Sequence, residues 1–206
     1  DVVETLCRKN PSLKRLHSYL ANHLRSDNGG DIPYSFVTAV EDYEGYKLEP
    51  DEVILSDYSA NRLGVTIGDD VTVSYFVAED LKSLSTDSLT LRVKAILPLE
   101  KLHQDKGLSA EFPGLSDVER CSEWDSDLPI DMDLITDEDE DYWYKYKQTP
   151  KALIAYSAVA EDWASDYGTA TALRSDASAE EIRISDLQPQ MFGLQLLHPR
   201  EDALYA

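Results

Sequence analysis

A chain of 206 residues with 40 Asp and Glu against 19 Lys and Arg carries a formal charge of -21 and repels phosphate backbones and anionic lipid surfaces, which excludes nucleic acid as a partner. Its 42% hydrophobic content and 12 tyrosines exclude a disordered chain. Two cysteines, Cys7 and Cys121, are too few for a disulfide framework and lack zinc-site spacing, so one bridge stays open beside the plainer reading of two thiols, at least one of them buried.

Asn10 and Pro11 open a segment in which Leu13, Leu16, Leu20 and Leu24 recur at helical spacing until Asn28-Gly29-Gly30. The spacing predicts one amphipathic helix with its stripe toward the core. Ile32 to Val40 reads as a strand, Glu41 to Asp51 as an acidic loop, and Val53 to Leu55 as a short strand.

The stretch LSDYSANRLGVTIGDDVTVSYFV, Leu55 to Val77, holds the strongest local signals. Ser56 caps a helical turn, Leu55 packs on Ala60, and Gly64 supplies a left-handed stop. Gly68-Asp69-Asp70 then turns the chain into a strand, with Val71, Val73, Tyr75 and Val77 on one face. A polar stretch, EDLKSLSTDS, separates it from SLTLRVKAILPL, which places Leu89, Leu91, Val93 and Ala95 together. The two runs form a hairpin with a long connection.

From Glu123 to Asp141 there are ten acidic residues and no basic one, the pattern of a solvated excursion. Thr136 and Asp139 make a capping pair; acids Asp137 to Asp141 and then Lys145 and Lys147 suit the helix dipole. Tyr142, Trp143 and Tyr146 form its sticky face. TPKALIAY reads as a strand, followed by a short helix capped by Ser157 and closed by Gly168, and TATALR as a second strand; the unit reads as a crossover or, since the spacing is short for a parallel one, as a pair lying apart in a mixed sheet. Ala179 to Leu187 is too short to assign.

Chemistry-bearing patterns are sparse. DMDLITDEDED lacks the glycine an EF-hand loop needs, and its acids read as a helix start. With forty acidic residues some pair satisfies any glycosidase spacing, so carboxylate pairs carry no weight. His17, His23, His103 and His198 are scattered, the first two six apart on different faces of the predicted helix, and read as surface residues. The chain has no G-x-S-x-G, no phosphate-binding loop and no dinucleotide fingerprint. No catalytic, metal-ligating or cofactor-binding residue emerges.

Against this background, ANRLGVTIGDDVTVSYF resembles an element in the extracytoplasmic domains of FtsX-like ABC transporter permeases, the group that includes MacB-type exporters. Three later stretches resemble successive elements of one branch of that family. They are FPGLSDVERCSEWDSDLPIDMDLI, DEDYWYKYKQTPKALIAY and WASDYGTATALR. Phe112, Pro113, Gly114, Trp124, Pro129, Tyr142, Trp143, Thr149, Pro150, Lys151, Ala152, Trp163, Gly168, Thr171 and Arg174 fall on matching positions. MFGLQLLHPREDALYA is similar to the segment before the family's second membrane helix. The resemblance runs from Val53 to Ala206; residues 1–51 have no match.

The resemblance implies an α+β (mixed α/β) fold, a MacB-like periplasmic core with a porter-like part and a smaller β-rich part. After the N-terminal helix and strand that the residues themselves suggest at 1–51, open to being part of a porter-like subdomain, the segments expected from the resemblance are a β-rich subdomain at 52–110, an acidic excursion with a helix at 111–148, and a strand-helix-strand at 149–206 returning toward the membrane. It implies a non-enzymatic domain on the extracytoplasmic, periplasmic face that transmits ATP-driven motion to a substrate or partner protein. The cytoplasmic ATPase would act through the parent permease, itself a dimer, and membrane helices would lie outside this chain. Trp143 and Tyr146, beside the acidic run, are the expected partner contact. A secreted or periplasmic module binding carbohydrate or peptide is the second reading and an acidic hydrolase the third.

Overall fold

The computed structural model describes residues 2–78, 84–112, 114–124, 129–164 and 168–175. In chain order they form helix α1 (Val2–Lys9), the long strands β1 (Leu13–Ser26) and β2 (Asp31–Val40), and the short strand β3 (Glu52–Ser56). Helix α2 (Asp57–Leu63) leads to the hairpin strands β4 (Asp70–Ala78) and β5 (Leu84–Leu97) and helix α3 (Leu99–Gln104). An excursion carrying α4 (Asp137–Tyr146) follows, and then β6 (Ala152–Ala155), α5 (Tyr156–Val159) and β7 (Ala172–Ser175).

The sheet order β2-β6-β3-β5-β4-β1 closes on itself, because β1 pairs with β2 as well as with β4. Six strands therefore make a barrel. β2 and β6 run parallel, as do β3 and β5, and the other neighbours are antiparallel. Closure satisfies the backbone groups that an open sheet would leave on its edges. β7 lies outside the ring, paired with the first residues of β1 from Leu13↔Ser175 to Leu16↔Ala172.

One apolar cluster takes side chains from all six barrel strands, among them Ala21, Val37, Val53, Val73, Val93 and Ile154. This is the barrel interior, and Ala60 and Leu63 of α2 and Trp163 pack into it. The opposite face is covered too. Leu16, Ile54 and Leu153 meet Leu102 of α3 and Leu108, while Leu20 and Phe36 meet Leu115 and Trp143 from the excursion.

The expected MacB-like core, with its porter-like part and smaller β-rich part, is replaced by this mostly β barrel with short helices. Strands from residues 1–51, 52–110 and 149–206 all enter one sheet. The largest single difference is β1. Its leucines at helical spacing sit on a strand covered on both faces, so Leu16 and Leu20 fill the outer cover while Ala21 fills the interior. A strand buried on both sides loses the period of two, and cross-strand pairing outweighs the helical preference of LKRLHSYLANHLRS.

Several local expectations match what forms. Strands cover Ile32 to Val40 and Val53 to Leu55, and Ser56 accepts a hydrogen bond from the Ser59 N–H at the start of α2. Gly64 ends that helix at φ 66°. β5 begins at Leu84, inside the stretch read as a polar connection, because its pairing with β4 extends to Ala78↔Leu84. α5 starts at Tyr156, so Ser157 sits within it instead of capping it. β6 and β7 are not neighbours in the sheet, in keeping with the mixed-sheet reading. The segment Ala179 to Leu187, the C-terminal stretch and Pro113 lie outside the described residues.

Candidate functional site

The excursion centres on α4, whose sequence DEDEDYWYKY fixes both its start and its orientation. Asp139 accepts from the Thr136 N–H at 3.1 Å, and the Thr136 hydroxyl faces the Asp139 N–H, so the predicted capping pair is a reciprocal box. Acids fill the first turn and Lys145 the last, as the helix dipole favours. Asp139, Tyr142 and Trp143 are buried, and Tyr146 is half-buried on the same stripe. Asp137, Asp141 and Tyr144 share the solvent side.

Trp143, expected at a partner contact, is 3% exposed. Its ring stacks on Phe36 at 6.1 Å, meets Trp124 edge-on at 5.0 Å, and its Nε1–H donates to the Val118 carbonyl. It anchors the excursion to the barrel. Tyr146 stands on a cleft of about 500 Å³ between α3 and the end of α4, with its ring 5.3 Å from that of His103. The aromatic residue that α4 presents to solvent is its neighbour Tyr144, at 66% exposure.

His103 has a defined tautomer. The Thr149 hydroxyl spends its one proton on the Tyr146 carbonyl, so the 2.8 Å contact with His103 Nδ1 requires that nitrogen to donate. Nε2 is then the acceptor, with the Lys106 ammonium at 3.4 Å. The cleft thus presents an imidazole and a lysine beside the Tyr146 ring. Among the described residues no group of three His, Cys, Asp or Glu side chains converges as a metal site would.

His17 departs from the surface reading: it is buried, packed edge-on against Trp163, and its Nδ1 donates to the Thr169 carbonyl. Burial lowers its pKa, only partly offset by that bond. His17 and His23 share a strand, not a helix, and lie on its opposite faces: His17 pairs with Ala39 of the interior, while His23 pairs with Ser74 and meets Tyr34 outside. Cys7 and Cys121 are both free thiols, and burial pushes the Cys121 thiol up to about 12.

The feature with no counterpart in the sequence reading is a buried charge triad. Arg62, in the last turn of α2, donates to both Asp139 oxygens, Nη2 to Oδ2 at 3.0 Å, and the Lys151 ammonium lies 3.7 Å from Oδ1. Asp139 and Lys151 are each 4% exposed. Lys151 also sits 4.6 Å from the centre of the Tyr142 ring and 5.9 Å from that of Tyr58, two rings that touch each other. Its carbonyl accepts from the Ser56 N–H and the Ser59 hydroxyl. Three parts of the chain, α2, α4 and the start of β6, meet at one carboxylate.

Burial alone would raise the Asp139 pKa, but the Arg62 and Thr136 hydrogen bonds and the Lys151 charge outweigh it and hold the carboxyl below its ordinary range. Burial also lowers Lys151, to about 8, with the neighbouring Arg62 adding to the effect and Asp139 opposing it. Above pH 8 and below the ordinary lysine pKa, the unfolded chain then binds more protons at this residue than the folded one. Its contribution to stability therefore rises with pH across that window.

The stability of the wild type relative to Lys151→Met is expected to rise by on the order of 2 kcal/mol between pH 7.5 and 10, read from urea midpoints. Making both proteins in a Cys121→Ser background removes the opposite drift of that thiol, which Lys151 itself influences. A difference that is flat with pH would show that Lys151 is not held in the buried, desolvated state described.

No family model matches the chain, and no curated protein matches it.

Proposed function

We propose that the chain is the extracytoplasmic domain of an ATP-driven permease of the FtsX-like kind, a part that moves and binds and carries no chemistry of its own. The observation that carries the reading is the pairing of β1 with β7. Leu13↔Ser175 are neighbours, so the first strand and the last described one run side by side with the start of one beside the end of the other. A domain borne on two membrane helices needs its two attachments together. The ordered series of FPGL, YWYKYKQTPKALI and YGTATALR motifs supports the same reading, and neither argument requires a porter-like core.

The barrel suits the task mechanically. A closed ring has no edge along which to open, and the triad joins the acidic excursion to two parts of it. Force applied at β1 and β7 would reach α4 through a packed body. The cytoplasmic ATPase would act through the parent permease, which would work as a dimer. The solvent side of α4 would face the substrate or partner protein.

The test is the side of the membrane. In a Cys7→Ser background of the full gene product, expressed in its own cells, Tyr144→Cys is expected to react with a membrane-impermeant maleimide while the inner membrane is intact. Reaction only after lysis would contradict the reading.

A further inference from the structure

Five large apolar side chains are well exposed among the described residues, and three of them, Met132, Leu134 and Tyr144, lie on the excursion. Met132 and Leu134 belong to a single 3-10 turn just before α4, at 40% exposure each. With Ile135 and Tyr144, Met132 lines an open hollow of about 600 Å³. Leaving such side chains in water forgoes their burial energy, and a rimmed cluster of them is the usual mark of an interface.

The rim is mainly acidic, with Arg120 the one cation among its lining residues. Asp137 and Asp141 line the hollow and form no ion pair among the described residues. The neighbouring acids are differently occupied: Glu140 accepts from the Cys121 and Ser122 N–H groups, and Glu138 stands 3.8 Å from Arg62. Arg120 and Ser122 close the far side. Along α4 the spacing of Asp137, Asp141 and Tyr144 puts two carboxylates and a ring in one row.

Charge decides among occupants. A second copy brings its own -21, and nucleic acid and anionic membranes are repelled in the same way. We propose that this hollow docks a cationic amphipathic segment of a partner protein, its basic side chains meeting Asp137 and Asp141 and its apolar ones covering Met132, Ile135 and Tyr144. Apolar contact at the centre supplies affinity, and the acidic row supplies orientation and speed of encounter. The assignment goes beyond the permease reading and does not depend on it, since the surface is complete in this chain alone.

The test titrates the full chain into a fluorescein-labelled synthetic helix of leucine and lysine, with a lysine peptide lacking leucine and a leucine-glutamate helix alongside, by anisotropy at low and moderate salt. The leucine-lysine helix is expected to bind best. Tyr144→Ala should weaken it about tenfold, as truncating a central aromatic does. Asp137→Asn with Asp141→Asn should weaken it by about tenfold and flatten the salt dependence. Asp27→Asn with Glu49→Gln, equal in charge but elsewhere on the surface, should change it less than about twofold.

Equal weakening by the remote pair would reduce the effect to overall charge and overturn the proposal. So would unchanged affinity in Tyr144→Ala, or equal binding of the leucine-free peptide. All the altered side chains are exposed, and unchanged circular dichroism in each variant keeps these outcomes decisive.

Discussion

Asp139→Ala is expected to destabilise the protein by about 3–5 kcal/mol, the cost of removing one partner from a buried ion group. The side chain does three jobs at once. It accepts from Arg62 through both oxygens, faces the Lys151 ammonium, and closes the capping box at the start of α4. Alanine leaves two cations, Arg62 and Lys151, with side chains 14% and 5% exposed and no carboxylate between them. The lost cap adds about 1 kcal/mol, the typical price of an N-terminal box, and falls within that range.

A surface pair provides the scale. Arg25 and Asp31 are bonded at 3.0 Å, but their side chains are 55% and 41% exposed, and Asp31→Ala should cost no more than about 1 kcal/mol. Urea midpoints and amide exchange distinguish the two. In Asp139→Ala, exchange should accelerate first in α4, with the barrel strands following only at global unfolding. A loss as small as that of Asp31→Ala would mean that the triad is not the joint between excursion and barrel.

Gly30→Ala is the second large effect, for a different reason. Gly30 closes the β1–β2 hairpin directly beneath the end of α2, and a Cβ there would lie 2.5 Å from the Leu63 Cα and 2.6 Å from its carbonyl oxygen. Both are backbone atoms that no rotamer change can move. The approach is itself bonded: Ser26 Oγ donates to the Leu63 carbonyl, and the Asn28 amide donates to that of Gly64. Making room shifts α2, and with it Arg62. On the order of 3 kcal/mol is expected, at the upper end of overpacking costs.

Gly29, one residue earlier, separates space from conformation. It has φ +86° and nothing within 4 Å of an added Cβ, so Gly29→Ala should cost about 1–2 kcal/mol of backbone strain alone. Equal losses at the two glycines, measured by thermal or urea unfolding, would contradict the close approach of α2 to the hairpin.

The parts of this structure legible in the sequence are those whose signals are local. Ser56, Gly64 and the turn at Gly68, with φ 97°, each act within a few residues, and α2, the turn and β4 follow as read. The box of Thr136 and Asp139 was legible for the same reason. β1 was not, since its leucines answer to layers on both sides that come from elsewhere in the chain. A helical spacing and a doubly covered strand look alike along a single segment.

The site shows the same boundary. An aromatic, acid-led helix was visible at Asp137 to Tyr146, but which of its sides faces inward depends on Arg62, far back in the sequence, and on Phe36. Trp143 therefore turns inward, and Tyr144, passed over in the sequence, faces water. The closed barrel in place of a two-part core has the same origin, because ring closure rests on the pairing of β1 with both β2 and β4.

Transmission of motion through a rigid body is the central claim, and distance measurement in the parent assembly tests it most directly. Spin labels at Asp27→Cys and Tyr144→Cys within one copy, and at Tyr144→Cys in the two copies of the permease proposed above with its proposed ATPase, would be compared with and without trapped ATP. The account predicts an unchanged distance within each copy and a changed distance between copies. A distance between copies that ignores nucleotide, or one within a copy that follows it, would contradict the account.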